Sequence, residues 1–160
     1  MGAAKWTSGE MNLLDLFPNL TAFNHEITSE KTIKYNCIAW VARSTDRWWQ
    51  PGIHWPIMSS REDIGIGDLV LAFRSLGYDE CPDGSFEEGF EKLAIYGSGF
   101  MYTHAARQLP DGRWTSKLGQ LEDITHSTTE ALECSDYGKV VQFMKRPLRP
   151  EQQQQASEVG

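Results

Sequence analysis

The segment Leu109-Pro110-Asp111-Gly112-Arg113 commits the residues on either side of it to pair with each other. Proline presets one turn position and glycine supplies a left-handed one, so the chain reverses there within a few residues. Before it, Met101 to Gln108 reads as a strand; after it, Arg113 to Lys117 reads as another. Lys92 to Tyr96 and Lys139 to Lys145 supply two more strand candidates. The first half has a different texture. Glu10 to Phe17 spaces its apolar residues as a short helix closed by Pro18. Asn36 to about Ser44 reads as a helix buried on most sides, and Leu69 to Leu76 as one between Gly67 and Gly77. Thr128 to Leu132 reads as a short helix, while Asn19 to Lys31 and 78–88 read as irregular. The pattern predicts an α+β fold, with one long helix packed on a small antiparallel sheet.

A chain of 160 residues is the size of one domain and can bury a core, and a 40% hydrophobic fraction with six Trp argues that it does. The reading places a single domain at 10–146, a flexible lead-in at 1–9 and a disordered tail at 147–160 that includes Gln152 to Gln155. A net charge of −7 disfavours a nucleic-acid surface, which needs clustered Lys and Arg. Glu87, Glu88 and Glu91 read as a solvated acidic face. No apolar run approaches the roughly 20 residues that span a bilayer, and Met1 to Glu10 lacks a signal core. A cytoplasmic protein is expected, unless a specialised machine exports it. The three cysteines show no CxxC spacing and are expected as thiols. Cys37, His104, His126 and Cys134 lack ligand-pair spacing, so neither metal nor cofactor is expected.

Chemistry concentrates at two places. Asn36 is a good N-cap, which puts Cys37 in the first turn of a helix, where free N–H groups favour a thiolate and could hold an oxyanion. His104 is the histidine centred in a strand-like run. On that strand Tyr102, His104, Ala106 and Gln108 share one face, and Thr103, Ala105 and Arg107 the other. Small Ala106 beside His104 leaves room for a helix end, and the hairpin returns Ser116 or Lys117 alongside Ala106. A thiol and an imidazole brought together in this way make a nucleophile and its base. Asp123 is the favoured third group, to orient the imidazole, with Gln108 and Ser116 as rivals. The plain structural readings are a small core cysteine and a histidine bonded to a carbonyl.

The motifs Tyr35-Asn36-Cys37-Ile38-Ala39-Trp40 and Thr103-His104-Ala105-Ala106-Arg107-Gln108-Leu109-Pro110-Asp111-Gly112-Arg113-Trp114-Thr115-Ser116-Lys117-Leu118-Gly119 resemble an uncharacterised bacterial family of small papain-like cysteine peptidase and amidase domains. The likeness spans roughly residues 33–146. It implies a papain-like fold, with Cys37 as nucleophile and His104 as base. The activity so implied is that of a cysteine hydrolase or acyl transferase on an amide: a peptide, an isopeptide or a glutamine side chain. The alternative is a non-catalytic protein-binding module on the same fold, an effector partner or inhibitor. The Trp48, Trp49 and Trp55 loop suits either a cleft wall or such a surface.

Overall fold

A seven-stranded antiparallel sheet dominates the computed structural model, which describes residues 13–29, 34–43, 65–118 and 122–148. In chain order its strands are β1 (His25–Ile27), β2 (Asp79–Cys81), β3 (Phe90–Ser98), β4 (Met101–Gln108), β5 (Trp114–Lys117), β6 (Asp123–His126) and β7 (Lys139–Pro147). Their spatial order is β1-β6-β5-β4-β3-β7-β2. The helices are short: α1 (Leu13–Leu16), α2 (Cys37–Val41) and α3 (Ile66–Ser75), with a 3-10 turn at Glu130–Leu132.

This architecture corrects the expected papain-like α+β arrangement. The fold is β-rich, and the helix that carries Cys37 is only five residues long. Two causes are visible. The helix ends at Val41, and Arg43 turns the chain through the left-handed region at φ 64°. Three short polar segments, β1, β2 and β6, also join the sheet. The first two lie where irregular chain is expected. Strands of three or four residues show no alternation of their own; the neighbour they pair with decides them.

The expected hairpin is present. Gln108 pairs with Trp114, and the Leu109 N–H reaches the Arg113 carbonyl at 2.7 Å. The sheet is buried on both faces. On one face Ala94, Tyr96, Ala106, Trp114 and Ile124 pack against α1 and against Phe17, Leu132 and Tyr137. On the other face Leu93, Ile95, Ala105 and Met144 pack against Ile38 and Val41 of α2 and Leu69 and Phe73 of α3. These are called below the α1 face and the α2 face.

A bulge breaks the β3–β4 register. Tyr96 pairs with His104, but Gly97 pairs with Tyr102, so Thr103 is left over. The alternation flips there, and Tyr102 packs with Cys37 on the α2 face. Close backbone approach marks the same end of the sheet. Gly138 has φ 71°, and a Cβ on it would collide with the Gly97 carbonyl. Gly138→Ala should cost roughly 2–3 kcal/mol, the strain of a left-handed non-glycine plus the clash. A urea melt of the variant checks this; an unshifted midpoint would mean the two backbones do not meet.

Among the described residues no helix is long and apolar enough to cross a membrane. Pro147, expected in a tail, closes β7, and the Leu148 N–H bonds the Gly89 carbonyl at 2.9 Å. The lead-in at 1–9, the Trp48, Trp49 and Trp55 loop, and 149–160 lie outside the described residues.

Candidate functional site

The Asn36 side-chain oxygen accepts the Ala39 N–H at 3.1 Å, which makes Cys37 the first residue of α2. The thiol is free and partly exposed. α2 lays it over Ala105 of β4. Burial pushes the thiol up to about 11, while the N–H groups of Ala105, Ile38 and Cys37 and the charge of Lys117 pull the other way. The desolvation of the α2 face thus outweighs the helix start.

Two further charged residues lie on this face. Lys117 of β5 and Asp123 of β6 are direct cross-strand partners, and both are buried. The Lys117 ammonium lies 5.6 Å from the centre of the Tyr35 ring. The Tyr35 hydroxyl donates to Asp123 Oδ2 at 2.6 Å, and Asp123 Oδ1 is sealed from solvent with no donor. Burial lowers the Lys117 pKa, and Asp123 followed by Cys37 opposes that shift. Trp40 of α2 stacks on Tyr35 and donates its indole N–H to Thr115 at 3.0 Å, which fixes the helix above β5.

His104 lies on the opposite face. Its cross-strand partner Tyr96 belongs to the α1-face core, and its ring stacks on Tyr137 with centroids 4.2 Å apart. Cys37 therefore packs with the α2-face core and His104 with the α1-face core, while Tyr137, against the His104 ring, senses the Cys37 charge. The alternation along β4 is as read from the sequence near His104, but α2 sits over Ala105 rather than Ala106. Asp123 shares the Cys37 face. Its rival Ser116 points to His104 on the α1 face. Gln108, the other rival, donates to the Gly84 carbonyl at 2.8 Å.

His104 is part of a buried chain of polar groups. Its Nε2 lies 3.0 Å from Ser116 Oγ, which lies 2.8 Å from His126 Nε2, and His126 Nδ1 lies 2.8 Å from the Thr128 carbonyl. The protons follow from the end of the chain. A carbonyl only accepts, so His126 Nδ1 carries hydrogen. His126 Nε2 then accepts from the Ser116 hydroxyl, and Ser116 Oγ accepts from His104 Nε2–H. His104 Nδ1 is left bare, with no hydrogen-bond partner among the described residues. Burial, with His126 nearby, holds the His104 pKa well below the ordinary value; burial holds His126 at about 4. Both rings are buried and neutral.

Lys117 was named from sequence only as a neighbour of Ala106. A lysine in a short strand, between Ser116 and Leu118 on the route to Asp123, was the available signal. Glu91, expected on a solvated face, is buried in β3. It accepts from the Tyr78 hydroxyl at 2.5 Å, from Arg43 and from Arg146. Among the described residues no group of three His, Cys, Asp or Glu side chains could hold a metal ion.

No curated protein and no solved structure matches the chain. Residues 26–145, more than half of the sequence and every strand but the ends of β1 and β7, match the family described as Domain of unknown function (DUF7689), and the chain belongs to that family.

Proposed function

We propose that the protein is a cysteine-dependent hydrolase or acyl transferase acting on an amide, with Cys37 as nucleophile, Lys117 as proton carrier and Asp123 as the residue that positions Lys117. One observation carries this reading. The Lys117–Asp123 pair lies on the sheet face that α2 covers, where the Lys117 charge acts on the Cys37 sulfur. The raised thiol value fits this scheme. A thiol near 11 is not a standing thiolate at neutral pH, so its proton must leave during the attack. Burial lowers the Lys117 pKa and so makes its neutral amine, the form able to take that proton, easier to reach.

In the first step Lys117 removes the thiol proton as sulfur bonds to the carbonyl carbon. The carbonyl π pair moves onto oxygen, where N–H groups at the start of α2 hold it. Lys117 then returns the proton to the leaving amine as the C–N bond breaks, and a thioester remains on Cys37. Water or an acceptor amine gives its proton to Lys117 and attacks the thioester. The sulfur leaves and regains the proton from Lys117.

A panel of peptide, isopeptide and glutamine-side-chain amides tests the reading. Cys37→Ala and Lys117→Met should each lower turnover by about a hundredfold or more. His104→Gln, across the sheet, should leave turnover per folded molecule unchanged. Activity that survives Lys117→Met but vanishes in folded His104→Gln would reject the assignment. In the free protein, iodoacetamide at pH 7 should label Cys37 about a hundredfold more slowly than an unperturbed thiol, given the rise from 9.0 to about 11.

A protein-binding module is the second reading. It is favoured by Phe23 and Ile27, 98% and 52% exposed beside edge strand β1. Under that reading Cys37→Ala would be silent in every amide assay and in partner binding alike.

A further inference from the structure

Arg107 of β4 is 7% exposed and makes no hydrogen bond to any described residue. Its guanidinium carbon lies 5.6 Å from the centre of the Trp40 ring, and the charge of Glu91 acts on it without a hydrogen bond between them. Nε is sealed from solvent and has no acceptor among the described residues. A guanidinium carries five N–H donors, and burying it without acceptors is costly.

Its neighbours deepen the imbalance. Glu91 is the carboxylate at the centre of the group. Its Oε1 takes the Tyr78 hydroxyl at 2.5 Å and Arg146 Nη2 at 3.3 Å, and its Oε2 takes Arg43. Arg146 also donates to the Leu76 carbonyl at 2.8 Å, yet its Nε is sealed without a partner. Three guanidiniums therefore surround one carboxylate, and the carboxylate's donors leave Arg107 out. Burial lowers the Arg107 pKa to about 10, and Arg43 adds to that. A guanidinium at that value is still charged at neutral pH, so the group keeps a net charge of two. Arg43 gives it an opening, since its side chain is 33% exposed.

Structural ion clusters normally balance; among the described residues this one is short of two negative charges and of acceptors for a planar fork of donors. We propose that Arg107 and Arg43, beside Trp40, bind the dianionic phosphate group of a phosphorylated small molecule. Its oxygens supply the acceptors that Arg107 lacks, and its charge offsets the excess. Arg146 and Glu91 hold the floor of the site, and Trp40 sets the plane of the Arg107 fork. The assignment stands apart from the Cys37 chemistry, because it uses neither Lys117 nor Asp123.

Calorimetric titration of the full chain with inorganic phosphate, at fixed ionic strength against acetate, tests it. Saturable 1:1 binding is expected, at least tenfold tighter for phosphate than for acetate. Arg107→Met should weaken it at least tenfold. Arg43→Gln, a change at a partly exposed side chain, should weaken it several-fold in protein that still melts cooperatively. Heats that never saturate, equal affinity for acetate, or phosphate binding that survives both substitutions would overturn the proposal.

Discussion

Acidification from pH 7 to pH 4 should remove about 3 kcal/mol of folding stability through His126 alone. The folded state holds this imidazole at about 4 against an ordinary 6.5, by burial. Between those two values the unfolded chain takes up the proton and the native chain does not, so stability is complete above the unfolded pKa and drains as pH falls toward the folded one. His104 acts in the same direction, because burial and His126 depress it further. The cause is geometric. His126 already spends one nitrogen on the Thr128 carbonyl and the other on the Ser116 hydroxyl, and the free nitrogen of His104 has no acceptor waiting. An added proton on either ring has nowhere to point. Glu91 contributes in a lower window. Burial alone would raise its carboxyl, but Arg43 and Tyr78 hold it below 4.5, so its share fades only beneath that value. Urea melts at half-unit steps give the profile. His126→Gln should flatten the part above pH 4.5, and a variant profile as steep as the native one would show that the relay is not what titrates.

Asp123→Ala should be the most damaging single change on the α2 face, at about 3–5 kcal/mol. It removes the acceptor of the Tyr35 hydroxyl and the carboxylate directly across the ladder from Lys117, which is wholly buried. A buried cation that loses its opposing charge costs far more than the pair was worth. The double variant Lys117→Met, Asp123→Ala should therefore recover a good part of the loss, and a thermodynamic cycle across the four proteins measures the coupling. Additive losses would mean that the two charges do not sense each other. The same cycle serves the catalytic reading, since it separates the stability of the pair from its effect on turnover.

Much of this was legible in the residues. Asn36 before Cys37 reads as a cap and is one. The Pro110-Asp111-Gly112 turn ends β4 at Gln108 and brings β5 back antiparallel. Alternation correctly assigns His104 and Ala106 to one face and Ala105 and Arg107 to the other. What alternation cannot say is which face receives the helix, because that depends on how Ile38, Val41 and Trp40 meet a sheet whose other strands are distant in sequence. Tyr102 fails for another reason: a one-residue bulge at Gly97 reverses the count, and no local pattern announces it. β1 and β6 are invisible because His25-Glu26-Ile27 and Asp123-Ile124-Thr125-His126 acquire strand character only from each other and from β5. Glu91 looks solvent-facing beside Glu87 and Glu88 until three arginines from separate elements converge on that strand.

The position of β7 bears on how the chain can be made. It pairs with β3 from Phe90↔Pro147 to Gly97↔Lys139 and with β2 on its other side, so the strand of this sheet made after the other six is the wedge between two that left the ribosome long before. Until it arrives, β2 has no partner and the Leu93 side of β3 lies open. Completion of the sheet during translation thus waits until β7 has emerged, and a nascent chain stalled near residue 138 should stay a client of chaperones.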